Sequence, residues 1–148
     1  MSPVIPDQLK LVLSWHGVKK LDSFKGHYTL PQADFYIDAR NVPEHGLKFS
    51  GKAGNNPDLQ KEMIEVAGEV FDLMTDQIIQ AVERIPQRRW DEADPFAKPF
   101  CVTFLCALGV TRSRAACLIV SRELKQLGYN VAIGDGSGTE GAVTVKGD

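Results

Sequence analysis

The stretch that most constrains this chain is residues 99–127, PFCVTFLCALGVTRSRAACLIVSRELKQL. Its opening run, residues 100–105, is apolar and rich in aromatic and β-branched residues, the composition of a buried strand. From Arg112 onward, Ala116, Ile119, Val120, Leu124 and Leu127 recur at helical spacing and can share one face. Gly128 stands where glycine commonly ends a helix. Residues 106–111 read as a tight loop between the two elements. Such a loop sits at the C-terminal end of a strand and at the N-terminus of a helix. Unpaired backbone N–H groups and the helix dipole both favour an anion there.

Within this unit, Cys106, five residues, Arg112 and Ser113 make the pattern C-x5-R-S. The pattern resembles that of cysteine-dependent phosphatases. There the sulfur lies under a ring of N–H groups, the arginine fork clamps phosphoryl oxygens, and the hydroxyl assists the thiolate. The plainer reading is an ordinary strand–helix connection with a buried cysteine and a surface arginine, since α/β folds host many unrelated sites.

A chain of 148 residues fits one domain with a real core. Its net charge of -2 gives no global argument for nucleic acid or membrane. No apolar run is long enough to span a bilayer, and no basic-then-apolar leader opens the chain. Three cysteines do not suggest a disulfide framework, so Cys101, Cys106 and Cys117 read as thiols of a cytoplasmic protein. Cys101 and Cys117 fall inside the expected strand and helix and read as core filling. No C-x-x-C pair or His–Cys cluster marks a metal site, and no cofactor is implied.

In chain order, residues 1–9 form a loose lead-in broken by Pro3 and Pro6. Residues 11–15 read as a first strand. His16, Lys19 and Lys20 follow in a loop that is either merely solvated or one wall of a ligand cleft. Residues 35–40 read as a second strand, ending in Asp38, Arg40 and Asn41. Residues 42–56 form a long loop in which Gly46, Gly51 and Gly54 supply turning freedom; loops of that length are commonly functional. Asn56-Pro57 is a helix start. Leu59, Met63, Val66, Val70, Met74, Ile78 and Ile85 keep helical spacing, as one long helix or two broken near Gly68. A polar connector over residues 86–98 precedes the central unit. Residues 130–133 make a last strand, and residues 134–148 are a Gly-rich tail with room for a short strand at 142–145.

The expected fold is therefore α/β: a small, mostly parallel sheet flanked by helices, with an anion-binding loop between one strand and its helix. His16, Asp38, Arg40 and the 106–113 loop would meet at the C-terminal strand ends, where open α/β sheets hold their ligands.

Four short motifs recur in an order that resembles the C-terminal domain of the RapZ family of bacterial RNase adapter proteins. They are Ser14-Trp15-His16-Gly17, Asp38-Ala39-Arg40, Ser50-Gly51, and Cys106 through Arg112-Ser113. The likeness covers residues 10–133. It implies a regulatory binding module rather than an enzyme, bound to an amino-sugar phosphate or to RNA and acting as a homo-oligomer. The pocket it implies comprises Asp38, Arg40, Cys106, Gly109, Arg112 and Ser113. The family's N-terminal nucleotide-binding domain has no counterpart here, and G-x-x-x-x-G-K-[ST] is absent. A stand-alone module is thus expected. Two readings follow: a binding module for a phosphorylated ligand, and a cysteine-dependent phosphatase with Cys106 as nucleophile, Arg112 as clamp and Asp38, Asp91 or Asp94 as acid.

Overall fold

A computed structural model describes residues 10–17, 32–85, 99–106 and 111–134, and the backbone of residues 145–146. The chain is an α/β protein. Strands β1 (Lys10–Gly17), β2 (Phe35–Asp38), β3 (Phe100–Cys106) and β4 (Asn130–Gly134) form one all-parallel sheet in the order β2-β3-β1-β4. A short β5 (Val145–Lys146) adds antiparallel to β4. Helix α1 (Pro57–Glu83) links β2 to its neighbour β3, and α2 (Arg112–Gln126) links β3 to β4, passing over β1. Among the described residues, no helix is long and apolar enough to cross a membrane.

Strand alternation decides which residues meet the helices. Leu11, Leu13, Phe100, Val102, Phe104, Ile37 and Val131 share one buried cluster with Leu59, Met63, Phe71, Ile78, Ile119 and Leu124 of the helices. Residues of the other phase, Val12, Ser14 and Thr103, are buried outside that cluster. There the Ser14 and Thr103 hydroxyls pair at 3.2 Å. Fully burying a side chain such as Phe104 contributes about 1.5–3 kcal/mol, and that single face supplies most of the apolar burial described.

The helix ends follow their sequence signals. Asn56 caps α1, its side chain accepting from the N–H groups of Asp58 and Leu59, with Pro57 at the first position. Gly128, at φ 98°, closes α2; its N–H bonds the Lys125 carbonyl and that of Tyr129 the Leu124 carbonyl, a Schellman arrangement. One phase differs from expectation. Ala67 leaves helical geometry (φ -145°, ψ 41°), beside the glycine where a break was anticipated. The kink turns Val66 out to 60 % exposure and hands the buried face to Phe71, Met74, Ile78 and Val82. Leu127 likewise lies outside, being the C-cap rather than a helical position.

Where α1 meets α2, the Thr75 hydroxyl lies between the Phe71 carbonyl, at 3.0 Å, and the Glu123 carboxyl. One hydroxyl proton serves only one acceptor at a time. Burial pushes the Glu123 carboxyl above its ordinary range, against the Thr75 bond that lowers it, and Asp72 and Asp76 add to the rise. The native state then holds this proton more tightly than the unfolded chain. The contribution is most favourable below the ordinary glutamate value and is lost as pH rises through the raised one. Glu123→Gln should therefore raise the melting temperature at pH 7 by about 1–3 °C and change it little near pH 4. Equal shifts at both pH values in thermal melts would contradict this account.

Candidate functional site

The carboxyl ends of three strands come level. Gly17 of β1 pairs with Cys106 of β3, and Asp38 of β2 pairs with Leu105. β3 ends at Cys106, whose phase along the strand matches Val102 and Phe104 and so faces the helices. After five intervening residues α2 begins at Arg112, and its first turn folds back on that end. The Cys106 thiol donates to the Ser113 hydroxyl at 3.1 Å, with both side chains buried. Strand end and helix start are thereby tied through the motif's first and last residues. Gly109 lies outside the described residues, as do Lys19, Lys20, Asp91 and Asp94.

The N-terminus of α2 is unlike that of α1. Thr111, at the cap position, makes no side-chain capping bond, and no acidic residue occupies the first turn. Arg112 and Arg114 stand there instead. Cations at the positive end of a helix dipole are unfavourable by about 0.3–1 kcal/mol each. Both side chains are braced. Arg112 Nη1 donates to the Arg40 carbonyl at 2.8 Å, and its Nε lies 3.4 Å from Glu44 Oε2. The Arg114 guanidinium stacks 5.2 Å above the centroid of the Trp15 ring, a cation–π contact.

Asp38 and Arg40 are brought to the same place but engage each other. Arg40 Nε and Nη2 donate to the Asp38 carboxylate at 2.9 and 2.7 Å, and the Arg40 backbone N–H adds a third bond at 2.9 Å. The Arg40 bond holds the Asp38 carboxyl below the usual carboxylate range, with a smaller contribution from the Arg112 charge. The pair is exposed and screened by solvent, so it adds little to stability and serves to orient the two groups.

His16 is not in a loop as its sequence context suggested. β1 runs on through Gly17, because the pairing with β3 continues to its last residue. His16 is buried within that strand, on the sheet face opposite Cys106, in phase with Val12 and Ser14. The structure therefore brings Cys106, Ser113, Arg112, Arg40 and Asp38 to one end of the sheet; His16 lies on the face opposite Cys106, the face that Asp38 takes through its pairing with Leu105.

Several contributors carried no local signal. Residues 42–56 are held by side chains of the helices they precede. The Glu62 carboxylate accepts from the N–H groups of Lys48 and Phe49 at 2.6 and 2.8 Å. Buried Gln60 donates to the Gly54 carbonyl at 2.7 Å and accepts from Arg122 at 2.6 Å. Glu44, which braces Arg112, is far from it in sequence. The glycines divide by role: Gly46 and Gly51 have positive φ, as turns require, whereas Gly54 is needed for space. A Cβ on Gly54 would collide with the Thr111 carbonyl oxygen and lie 2.6 Å from the Ala115 nitrogen.

No protein-family model and no curated protein matches the chain. Among the described residues, no three His, Cys, Asp or Glu side chains converge as a metal site would need. Fold and geometry thus define an α/β protein with a braced cationic junction between β3 and α2.

Because the atoms meeting a Cβ at Gly54 are mostly backbone, they cannot yield as the end of a flexible side chain would. Gly54→Ala should destabilise the protein by about 1–3 kcal/mol, read as a lowered denaturation midpoint. An unchanged midpoint would show that the loop does not press on α2.

Proposed function

We propose that this chain is a phosphate-centred binding module, with the ligand's phosphoryl group seated at the first turn of α2 beside Arg112. The observation that carries the reading is electrostatic. α2 starts with no side-chain cap and no acid, yet holds two arginines at the positive end of its dipole. An anion at that position turns an unfavourable arrangement into a favourable one. Arg112 is the primary clamp, pre-oriented by Glu44 and the Arg40 carbonyl. Arg40 is a second cation at the rim, and Asp38, kept ionised by it, can accept from a sugar hydroxyl or amine. Ser113 and Cys106 form the floor, and Gly109 belongs to the pocket on the motif alone. The ordered motifs that resemble the RapZ C-terminal domain support an amino-sugar phosphate or an RNA phosphate as ligand and a regulatory adapter role in a bacterial cytoplasm. The three cysteines are not joined in disulfides, the form a reducing compartment maintains.

A thermal-shift titration with inorganic phosphate, hexosamine phosphates and short RNA tests this, since a ligand that binds only the folded state raises the melting temperature by mass action. One class should stabilise the protein, by about 2.7 kcal/mol at a hundredfold excess over its dissociation constant, and Arg112→Ala should abolish the shift. Stabilisation that survives in Arg112→Ala would remove the site from α2.

One contact favours a second reading. Ser113 lies against the Cys106 sulfur, where a hydroxyl could donate to a thiolate. In a cysteine-dependent phosphatase the thiolate would attack phosphorus, an S–P bond forming as the ester P–O bond breaks. The leaving oxygen would take a proton from an acid, and water would then release phosphate. Asp38 is poorly suited as that acid, because Arg40 keeps it deprotonated. The binding module is therefore preferred, and the purified protein should not turn over p-nitrophenyl phosphate. Turnover that disappears in Cys106→Ser would establish the enzyme instead.

A further inference from the structure

Two arginines at the junction differ in how their charge is matched. The side fork of Arg40 is filled, since Nε and Nη2 both donate to the Asp38 carboxylate at 2.9 and 2.7 Å. Arg112 has no such bidentate partner. Its Nη1 donates to the Arg40 carbonyl at 2.8 Å, and Glu44 Oε2 stands 3.4 Å from its Nε. A charge-assisted N–H···O bond is about 2.7–2.9 Å long. Glu44 therefore lies beside the fork without closing on it. Among the described residues, Nη2 of Arg112 donates to none.

Burial makes that neighbour matter. The side chains of Arg112 and Glu44 are 22 % and 25 % exposed, against 64 % and 56 % for Arg40 and Asp38. Water and salt weaken the field of part-buried charges less than that of exposed ones. An anion entering the Arg112 fork meets the pull of the guanidinium together with the repulsion of the Glu44 carboxylate. The Arg40 carbonyl turns the negative end of its dipole on the same guanidinium. Arg114 does not redress the balance, because its guanidinium is stacked on the Trp15 ring.

Both pull and repulsion scale with the charge of the ligand. A phosphomonoester carries about 1.5–2 negative charges at pH 7, whereas a phosphodiester link carries about one. Beside a guanidinium that a carboxylate already balances, the second charge gains little. Its removal from water still costs more.

We propose that Glu44 is a specificity-determining residue of the α2 junction, making the site select a singly charged phosphodiester over a doubly charged phosphomonoester. This rests on the reading of the first turn of α2 as the phosphate site. Glu44 then has two opposed effects. It holds Arg112 in place, which favours any anion, and it repels whatever arrives. For one charge the two nearly cancel. For two charges the repulsion doubles and the brace does not.

The test is a phosphorus NMR titration of the full chain with methyl phosphate and dimethyl phosphate at about pH 8, where the monoester is a dianion. Dimethyl phosphate should bind about tenfold more tightly or better. Glu44→Gln keeps the size of the side chain and removes its charge. It should tighten methyl phosphate about tenfold and leave dimethyl phosphate within about threefold. Uridylyl-uridine and glycerophosphocholine, both diesters, separate a nucleotide chain from a lipid head group as the source, by which of them binds more tightly. Wild-type preference for methyl phosphate overturns the role of Glu44. So does a preference that Glu44→Gln leaves unmoved. In both cases the phosphate site stands if Arg112→Ala abolishes binding. Binding of both esters that survives Arg112→Ala, or no binding of either to the wild type, removes the site and the proposal with it.

Discussion

Much of this molecule depends on a contact made without a side chain. The main chain at Gly54 lies against the Thr111 carbonyl and the Ala115 nitrogen, where no Cβ fits. That approach presses residues 42–56 onto the start of α2. It brings Glu44 within reach of Arg112 and lets Gln60 and Glu62 hold the loop from behind. A larger residue would push the loop out and take the brace on Arg112 with it. Position in space, rather than any single strong bond, is what this contact provides.

The charges at the junction follow from the same packing. α1 is capped by Asn56, with Asp58 in its first turn, as helices ordinarily are. α2 has neither and carries arginines instead. A single chain that builds one helix start by the usual rules and another against them gives up stability locally, and local departures of this kind gather at functional places. The arginines are also not loose: Arg114 is stacked on Trp15 and Arg112 is held at two points. Braced cations lose less freedom when an anion arrives, which is where pre-organisation gains affinity.

The sheet's ends and edges divide its chemistry. The carboxyl ends of β1, β2 and β3 present the cationic junction. Along β2, a groove against α1 is lined by Phe35–Asp38 and by Val70, Leu73 and Met74. Beneath them lies the buried cluster, formed by one phase of the parallel strands and the inner faces of both helices, with Ile37 and Met74 of the cluster also lining the groove.

The order of elements was legible because each carries a strong local signal: the apolar run of β3, the Asn56-Pro57 start of α1, the 3.6-residue spacing of α2 and its closing glycine. The C-x5-R-S spacing likewise placed Cys106, Arg112 and Ser113 together, since a strand, a short loop and a helix leave few ways to arrange them. Local pattern could not reveal the length of β1, because whether His16 is strand or loop depends on how far β3 pairs alongside it. Nor could it show that Val66 would turn outward, which follows from a kink at Ala67. The brace from Glu44, the Trp15–Arg114 stack and the groove along β2 join residues distant in the chain. By itself, then, the sequence determined the elements, their order and the residues of the motif, because these rest on periodicity and short-range spacing. Tertiary structure alone decided which face His16 takes, what holds Arg112 and what braces Arg114, because those depend on register and on contacts that only the folded chain brings within a few ångströms.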